Sequence, residues 1–451
     1  MAIQERLHKW YNIQNQKAMR INNIQIENCR IVQDVDMKLH PRINLFVGVN
    51  GAGKTTLLEA LVKSIKCAFD LFASASLSTP TGLLKEDDIT IGEKELLIRV
   101  TADLGLRDAS SVSWSLACAR KGENKSKMSV LSDLKSAIRG VRDDAGLRMP
   151  DDPASYRSLP VVAYYGTNRS VLEAPLKPRA HSFKQMEVYD GAFKGEANFK
   201  NFFIWFRERE DIENEERHDL AGAHRDAALS SVRKAMSAFL PGFTDWRVRR
   251  QPLRMEVNKN GTYVRVNDLS DGEKCLLSMV GDLARRLAMA NPGLEDPLLG
   301  TGVVLIDELE LHLHPAWQYK VVPQLLATFP NIQFFATTHS PQVLSSVDGA
   351  NLFAVSDGEV RAWPSELQTE GQSVERLLVR VFNAPVASET GDRSLLNDYA
   401  RLLKEGAGFT PEANALYDRI VRMFGDADPV VCALRYRREK LAADGEPGGS
   451  R

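Results

Sequence analysis

Apolar and polar positions along the first part of the chain predict short strands, a buried strand and then a helix. Between residues 20 and 38, apolar residues recur at every second or third position, as in half-buried strands. A more apolar cluster follows, made of Ile43, Leu45, Phe46 and Val47. From residue 57 to 65 the apolar spacing becomes helical, so a helix should follow the buried strand after a short loop.

Apolar and polar patterns also predict the elements in the rest of the chain. Residues 89–121 favour paired strands, and residues 159–166 favour one compact apolar strand. Residues 198–240 have the longest helical pattern, with a densely charged centre that is typical of a solvated helix face. From residue 303 onward, strand and helix patterns alternate as in a parallel α/β sheet. Beyond residue 364 only helical stretches are predicted, at 373–382, 394–405, 412–424 and 430–441.

Composition narrows the possible classes. The 451 residues are 43% hydrophobic, enough for a large core or for two to three domains. The 58 basic and 59 acidic residues give a net charge of -1, so any contact with nucleic acid would need a local basic patch. The five cysteines form no CxxC pair, and no run of about 18 apolar residues occurs. We therefore expect a soluble, cytoplasmic protein with no membrane partner.

A glycine-rich motif, GVNGAGKT at residues 48–55, lies between the predicted buried strand and the predicted helix. This is the context of a P-loop, whose backbone amides hold phosphates at a helix N-terminus. Lys54 is predicted to neutralise the β- and γ-phosphates of ATP, and Thr55 to bind Mg²⁺. The predicted nucleotide-binding residues here are Gly48, Asn50, Gly51, Ala52, Gly53, Lys54, Thr55 and Thr56.

A second motif, VVLIDE at residues 303–308, runs from a predicted buried strand into two acids. Acids at the end of such a strand meet a ligand at the edge of the sheet. Asp307 is predicted to hold Mg²⁺ and Glu308 to deprotonate the attacking water as general base. The sequence thus predicts an ATPase that uses ATP and Mg²⁺.

A third motif, LSDGEK at residues 269–274, decides the kind of ATPase. It resembles the ABC signature LSGGE/Q, with Asp271 in place of the first glycine. In ABC-type ATPases of the RecF and SMC kind, this motif in one head contacts the γ-phosphate bound to another head, and the resemblance implies the same for Ser270, Gly272 and Glu273. Independently, a serine and an amide at a helix N-terminus form a ready anion site.

Two further segments extend the resemblance. ELHLHP at residues 310–315 is similar to the D-loop region of these heads, and TTHSP at 337–341 is similar to their switch-histidine segment. By this match His339, together with Lys54 and Glu308, is a predicted catalytic residue that senses the γ-phosphate. The Q-loop position falls at Asn168 or Arg169, where no glutamine stands. His312 and His314 alternate on a strand-like stretch, which leaves a metal site as a minor alternative.

These motifs predict a fold class and a division of the chain. The fold is α/β, a P-loop NTPase of ABC/RecF type with a mixed sheet lobe, an inserted helical lobe and an all-helical C-terminal appendix. The predicted parts are 1–121, the N-terminal part of the ATPase head; 122–245, an inserted and largely helical lobe with a core strand at 159–166; 246–364, the C-terminal part of the head; and 365–451, the helical C-terminal region.

The segment NFFIWFREREDIENEE, the LPGF turn and LSDGEK together resemble the PtuA-like ATPases of Septu and some retron antiphage systems. That resemblance implies head-to-head dimers or higher oligomers, and a partner HNH nuclease that the ATPase controls. The alternative is a RecF-like ATP clamp on DNA. Two basic runs, at 247–254 and 435–440, could contact nucleic acid or an acidic surface. Asp426 and Asp428 could belong to a nuclease centre or to a plain turn.

Overall fold

The structure is a computed structural model that describes residues 18–73, 77–104, 111–123, 126–145, 158–167, 169, 183–219, 225–364, 368–382, 392–426 and 429–444. The chain divides into two units, Met1–Gln372 and Ser373–Arg451. In the described residues, no helix combines the length and the apolar character that crossing a bilayer requires. The finer division of the first unit at residues 121, 245 and 364 stays a prediction.

The described strands form three sheets. The strands are β1 (Met19–Cys29), β2 (Val32–Lys38), β3 (Ile43–Val47), β4 (Glu95–Leu104), β5 (Val112–Ala119), β6 (Val161–Tyr165), β7 (Phe243–Arg250), β8 (Leu253–Lys259), β9 (Thr262–Arg265), β10 (Gly302–Ile306), β11 (Ile332–Thr338), β12 (Leu352–Ser356) and β13 (Glu359–Ala362). The helices of the first unit are α1 (Lys54–Ala73), α2 (Ser132–Ala145), α3 (Phe199–Asp219), α4 (Ala227–Phe239), α5 (Asp271–Ala290), α6 (Pro315–Thr328) and α7 (Pro341–Leu344).

A six-stranded sheet in the order β13-β12-β3-β11-β10-β6 is the centre of the first unit. Its strands are parallel except the edge strand β13. Every residue of β3, β10 and β11 is buried, because a parallel strand covered on both faces is a nearly continuous apolar run. The carboxyl ends of these three strands meet at one edge of the sheet, which brings together the residues that follow them. The predicted α/β fold with a mixed sheet is confirmed.

A four-stranded antiparallel sheet, in the order β2-β1-β4-β5, packs on α1. From Val35 to Lys38 of β2, buried and exposed residues alternate, as expected for a sheet with one solvated face. Its inner face shares one apolar core with α1, in which Ile24 and Ile26 of β1 join Leu57 and Leu61 of the helix. This core holds the first turn of α1 in place below the glycine-rich loop.

Helix α5, which follows the LSDGEK motif, is buried along almost its whole length because α3 and α4 pack on it. Its second half carries a buried ionic cluster: Asp282 accepts hydrogen bonds from Arg285 at 2.7 Å, from Arg286 at 2.8 Å and from the Tyr165 hydroxyl at 3.0 Å. The shared carboxylate offsets part of the desolvation cost of the two cations, and Arg286 also donates to main-chain carbonyls of Val188 and Asp190. Since Tyr165 ends β6, the cluster joins α5 to the central sheet.

The second unit consists, in its described residues, of α8 (Val374–Phe382), α9 (Asp392–Lys404), α10 (Pro411–Phe424) and α11 (Pro429–Asp444). The four predicted helical stretches correspond to these helices. Helices α9, α10 and α11 share a small apolar core, whose buried members are Leu395, Tyr399, Leu403, Ala413, Ile420, Val431 and Leu434.

Candidate active site

The loop between β3 and α1 has the backbone geometry of a phosphate-binding loop. Gly51 and Gly53 have φ angles of 79° and 110°, in the left-handed region that glycine enters without steric cost. Gly48 is required for a different reason, since a Cβ there would lie 2.1 Å from the carbonyl oxygen of Val355 on β12. The loop is therefore pressed against the neighbouring strand, and only glycine fits at its start.

The other predicted loop residues lie around this turn. Ala52 is buried, and its carbonyl accepts a hydrogen bond of 3.1 Å from the Gly358 amide in the β12–β13 turn. Asn50 is exposed at the top of the loop, and Thr56 is buried in the first turn of α1. The loop is thus tied to the β12–β13 hairpin, with its upper side open to a ligand.

Lys54 points its ammonium group back across the loop. Its Nζ donates to the carbonyl oxygens of Gly48 at 3.0 Å and Val49 at 2.9 Å, and lies 3.5 Å from Nδ1 of His339. Burial lowers the pKa of Lys54, and the acids that follow β10 act in the opposite direction. A bound phosphate would be a better partner than these neutral carbonyls, because its negative charge would form stronger, charge-assisted hydrogen bonds with the partly desolvated ammonium group.

Asp307 lies where β10 ends and faces the first turn of α1. The Thr55 hydroxyl is 3.3 Å from both carboxylate oxygens, and the Thr337 hydroxyl donates to Oδ1 at 2.6 Å. The Asp307 amide donates to the Tyr165 carbonyl at 2.8 Å, which continues the ladder between β10 and β6. A hydroxyl and a carboxylate held this close form a hard oxygen pair that suits Mg²⁺.

Glu308, the next residue, is held in an unusual backbone conformation. Its φ is 46°, in the left-handed region that costs a non-glycine residue about 1–2 kcal/mol. The Glu308 amide donates to the Thr337 hydroxyl at 2.7 Å, and its carbonyl accepts from Nη2 of Arg169 at 2.5 Å. This backbone turn takes the chain away from the strand and leaves the half-buried Glu308 side chain beside Asp307 and Lys54.

His339 follows β11 and completes the group at this sheet edge. Its main-chain amide donates to Oε1 of Glu310 at 2.5 Å, and its ring lies beside Lys54. Burial lowers the pKa of His339, Lys54 lowers it further, and Glu310 and Glu308 act in the opposite direction. The neutral imidazole is favoured at pH 7, so the ring can accept one hydrogen bond and donate another.

The LSDGEK motif forms the start of α5. Ser270 is the N-cap, and a capping box links it to Glu273: the Glu273 amide donates to Ser270 Oγ at 3.4 Å, and the Ser270 amide donates to Glu273 Oε2 at 2.9 Å. Lys259 of β8 donates to Glu273 Oε1 at 2.7 Å. At Gly272 a Cβ would lie 2.5 Å from the His312 carbonyl, so the helix start is packed directly on the turn after β10.

These signature residues do not line the P-loop of their own chain. They face an open groove of about 750 Å³, lined by Ser270, Asp271, Gly272, His312, Leu313, His314 and Trp317. The structure therefore brings together Lys54, Thr55, Asp307, Glu308 and His339, and it places Ser270 and Gly272 in a different groove. Glu273 is turned inward and serves the helix cap.

Arg169 is a residue of this region whose role the sequence did not predict. Of the two Q-loop candidates, Asn168 lies outside the described residues, whereas Arg169 is buried with 1% of its surface exposed. Its guanidinium donates to the main-chain carbonyls of Asp307 and Glu308, and its Nε donates to the sulfur of Cys275 on α5 at 3.2 Å. The sequence feature that could have indicated this role is the position of the arginine, just after β6, the buried strand that pairs with β10.

Three weaker predictions can be compared with the structure. The segment with His312 and His314 is wrong as a strand: it is a turn, in which His312 has a φ of 63° and His314 caps α6 through Nδ1. Across the described ranges, no cluster of three or more metal-binding side chains is present. Asp426 is exposed and pairs with Arg435, and Asp428 lies outside the described residues.

The arginines of the basic run at 247–254 pair with acids of the same chain. On β7 and β8 the side chains of Arg247, Arg249 and Arg254 all contact Glu256, at 3.1, 3.2 and 2.7 Å. Arg250 pairs with Glu210 at 2.9 Å and with the neighbouring Asp211. A contact with DNA phosphates would have to compete with these internal acids.

Two protein-family profiles match the chain. One, described as "AAA domain", covers residues 23–225, and the other, described as "AAA domain, putative AbiEii toxin, Type IV TA system", covers residues 140–345. Together they include the P-loop, the signature motif, both acids after β10 and His339.

The chain is similar along most of its length to several known proteins. It is 28% identical to "Retron Ec83 probable ATPase" of Escherichia coli, over 94% of this chain and 87% of that protein. It is 27% identical to "Retron Vc95 probable ATPase" of Vibrio cholerae serotype O1 biovar El Tor (87% and 85%), and 23% identical to "Septu protein PtuA" of Bacillus thuringiensis (80% and 84%).

Among solved structures, "Crystal structure of the SmcHead bound to the C-winged helix domain of ScpA" matches with a TM-score of 0.46 and 17% identity, over 76% of this chain and 96% of that one. The P-loop, the two acids at the sheet edge and the AAA-domain matches identify a P-loop ATPase, which hydrolyses ATP. The chain is a homologue of the retron Ec83 and Vc95 ATPases and of Septu PtuA.

Proposed function

We propose that this ATPase works as a head-to-head dimer and that each ATP is held between the P-loop of one copy and the Ser270 groove of the other. The position of Ser270 and Gly272 supports this, because they face an open groove that the P-loop of their own chain does not line. A two-fold dimer would present each groove to the other copy's P-loop. Each nucleotide site would then be complete only after ATP-dependent closure of the dimer.

Within this dimer we assign each residue a role. The loop amides and Lys54 bind the β- and γ-phosphates, and Thr55 with Asp307 holds Mg²⁺, which supplies charge neutralisation on the phosphates. Glu308 accepts the proton of the attacking water. The neutral ring of His339 contacts the γ-phosphate region, since it already lies 3.5 Å from the Lys54 ammonium. From the second copy, the Ser270 hydroxyl and the first amides of α5 contribute an anion site.

A mixing experiment tests the composite site. Ser270→Arg blocks the groove but leaves the P-loop intact, and Lys54→Ala removes the P-loop cation but leaves the groove intact. Each variant alone is expected to be almost inactive. An equal mixture is expected to recover roughly a quarter of wild-type turnover, since half of randomly paired dimers are mixed and each has one complete site. Steady-state ATPase assays of the two variants and their mixture measure this.

Two controls belong to that experiment. Ser270→Arg also loses a helix cap worth about 1 kcal/mol, so thermal unfolding must show that the variant is folded. ATP titration should find its nucleotide affinity in the monomer near that of the wild type. If the mixture gains no activity although both variants are folded, the composite site is wrong.

We further propose that ATP closure makes this protein the sensor and regulatory subunit of an antiphage system that controls an HNH nuclease. The support is its similarity along most of its length to retron ATPases and to Septu PtuA. Closure and opening of two heads would change the surface offered to the nuclease, so ATP loss could release it.

Co-purification tests the partner. When the tagged chain is expressed together with the reading frames encoded beside it, an HNH nuclease is expected to co-purify in the presence of ATP and Mg²⁺. Nuclease activity of the complex should rise when nucleotide is removed, because the holding conformation is lost. Mass spectrometry and a plasmid-cleavage assay measure the two effects. Nuclease activity that does not respond to nucleotide would contradict the regulatory role.

The alternative function, a RecF-like DNA clamp, has less support. The arginines at 247–254 pair with Glu210, Asp211 and Glu256, which reduces the positive field that a DNA-binding surface needs. Filter binding of duplex DNA at increasing salt distinguishes the two functions. Strong binding at low salt that is lost as salt rises would favour the clamp.

A further inference from the structure

Arg169 is a buried cation whose described partners are all neutral. It follows β6, and only 1% of its surface is exposed. It donates hydrogen bonds to five acceptors: the carbonyl oxygens of Gly166 (3.1 Å), Asp307, Glu308 (2.5 Å) and Leu309 (3.4 Å), and the sulfur of Cys275 (3.2 Å). Burying a guanidinium costs desolvation free energy. Here that cost is offset because the planar group donates to several acceptors at once.

Three of these acceptors belong to the peptide turn that carries Glu308. The left-handed φ of Glu308 is unfavourable for a residue with a side chain, and such a conformation persists only where the surroundings hold it. Arg169 binds the carbonyl on one side of the residue, and the Thr337 hydroxyl binds the amide on the other. The direction of the Glu308 side chain is therefore set by two contacts from outside its own strand.

The contact between Arg169 and Cys275 leads to the helix that begins with the LSDGEK motif. Cys275 lies in the first turns of α5, five residues after Ser270 (275 minus 270), and it is buried against the Nε of Arg169. Gly272, in the same helix start, packs on the carbonyl of His312 in the turn after Glu308. One arginine thus joins the helix that begins with the signature motif to the main chain of the acid at the hydrolysis site.

We infer that Arg169 is a positioning residue for Glu308: it holds the acid in its left-handed conformation and fixes it to helix α5. This inference rests on the proposed role of Glu308 as general base. A general base must lie within hydrogen-bond reach of the attacking water, so a small displacement of its main chain lowers kcat. Arg169 itself does not touch nucleotide in this assignment, so ATP binding does not depend on it.

The test uses the full-length chain with Arg169→Lys and Arg169→Gln. Lysine keeps the charge but loses the fork, and glutamine keeps two donors but loses the charge. For both variants kcat is expected to fall about 10- to 100-fold, with the Kd for ATP within about threefold of the wild type. ATP titration and thermal unfolding establish that a variant is folded, and either folded variant suffices for the comparison.

Arg285→Lys is the matched control. Arg285 is equally buried, with 1% exposed, and lies on α5, but it binds Asp282 and not the Glu308 turn. This variant is expected to unfold at a lower temperature and to keep its kcat within about threefold of wild type. An equal loss of kcat in Arg285→Lys would assign the effect of Arg169 to general packing and overturn the inference.

A double-mutant cycle separates this inference from the proposed function. In a Glu308→Gln background, Arg169→Lys should cause no further loss of kcat, because it acts through the side chain already removed. A multiplied loss, or an unchanged kcat in the single Arg169 variants, would overturn the inference while leaving the role of Glu308 intact. Wild-type turnover in the single Glu308→Gln variant would instead contradict the base assignment itself.

Discussion

Glu308→Gln is expected to lower kcat for ATP hydrolysis by about 10²- to 10⁴-fold while ATP remains bound. The amide keeps the size of the side chain but cannot accept a proton from the attacking water. The left-handed main chain of Glu308 should be retained, since Thr337 and Arg169 bind its amide and carbonyl and not its side chain. Single-turnover kinetics with saturating ATP and Mg²⁺ measure the chemical step directly.

If ATP closes the proposed dimer, a slow chemical step should also prolong its lifetime, so size-exclusion chromatography with ATP is expected to show more dimer for Glu308→Gln than for the wild type. Glu123→Gln is a suitable control, because the Glu123 side chain forms a surface ion pair with Lys94 at 3.1 Å and lies far along the chain from the acids after β10. Glu308→Gln with wild-type turnover would show that another group activates the water.

Lys54→Ala is expected to weaken ATP binding by about 100-fold, the loss of one to two charge-assisted hydrogen bonds to phosphate. The effect should be large because Lys54 is buried: desolvation lowers its pKa, since water cannot solvate the ammonium group fully. A bound phosphate would replace that missing solvation with a direct interaction between opposite charges. Isothermal titration measures the affinity. As an independent readout, ATP should raise the unfolding temperature of the wild type and not of the variant.

Lys66→Ala provides the matched control for Lys54→Ala. Lys66 lies on the same helix, α1, but it is twelve residues beyond Lys54 (66 minus 54) and pairs with Asp70 at 2.6 Å. Its removal should leave ATP affinity within about twofold, since partly exposed i,i+4 pairs contribute only a few tenths of a kcal/mol. Unchanged affinity in Lys54→Ala, or equal losses in both variants, would contradict the P-loop assignment.

Local patterns explain why much of the site could be predicted from the sequence. The buried strand β3, the glycine turn and the start of α1 are contiguous, so one motif specifies all three. The same holds for β10 with Asp307 and Glu308. The four helices of the second unit also follow from apolar spacing and from terminal residues such as Thr410, which caps α10.

Contacts between distant residues explain what could not be predicted. Arg169 meets Glu308 across 139 positions of sequence, and the Thr337 hydroxyl meets it across 29, so no periodicity or motif indicates either contact. The apparent alternation around His312 was misleading. His312 has a positive φ and His314 caps α6, so this segment is a turn that leads to the helix, and neither feature is visible as a pattern of apolar residues. The arginines near residue 250 looked available until the structure placed Glu256 among them.

The packing of Gly48 on Val355, with the hydrogen bond from Gly358 to Ala52, has a consequence for nucleotide capture. A loop already held in its phosphate-binding shape loses little conformational entropy when a ligand arrives. More of the attraction between ATP and the loop then remains as net affinity. Each chain is thus preorganised to bind nucleotide by itself. In the proposed dimer, the conformational change of the ATPase cycle would then occur when two nucleotide-bound copies associate.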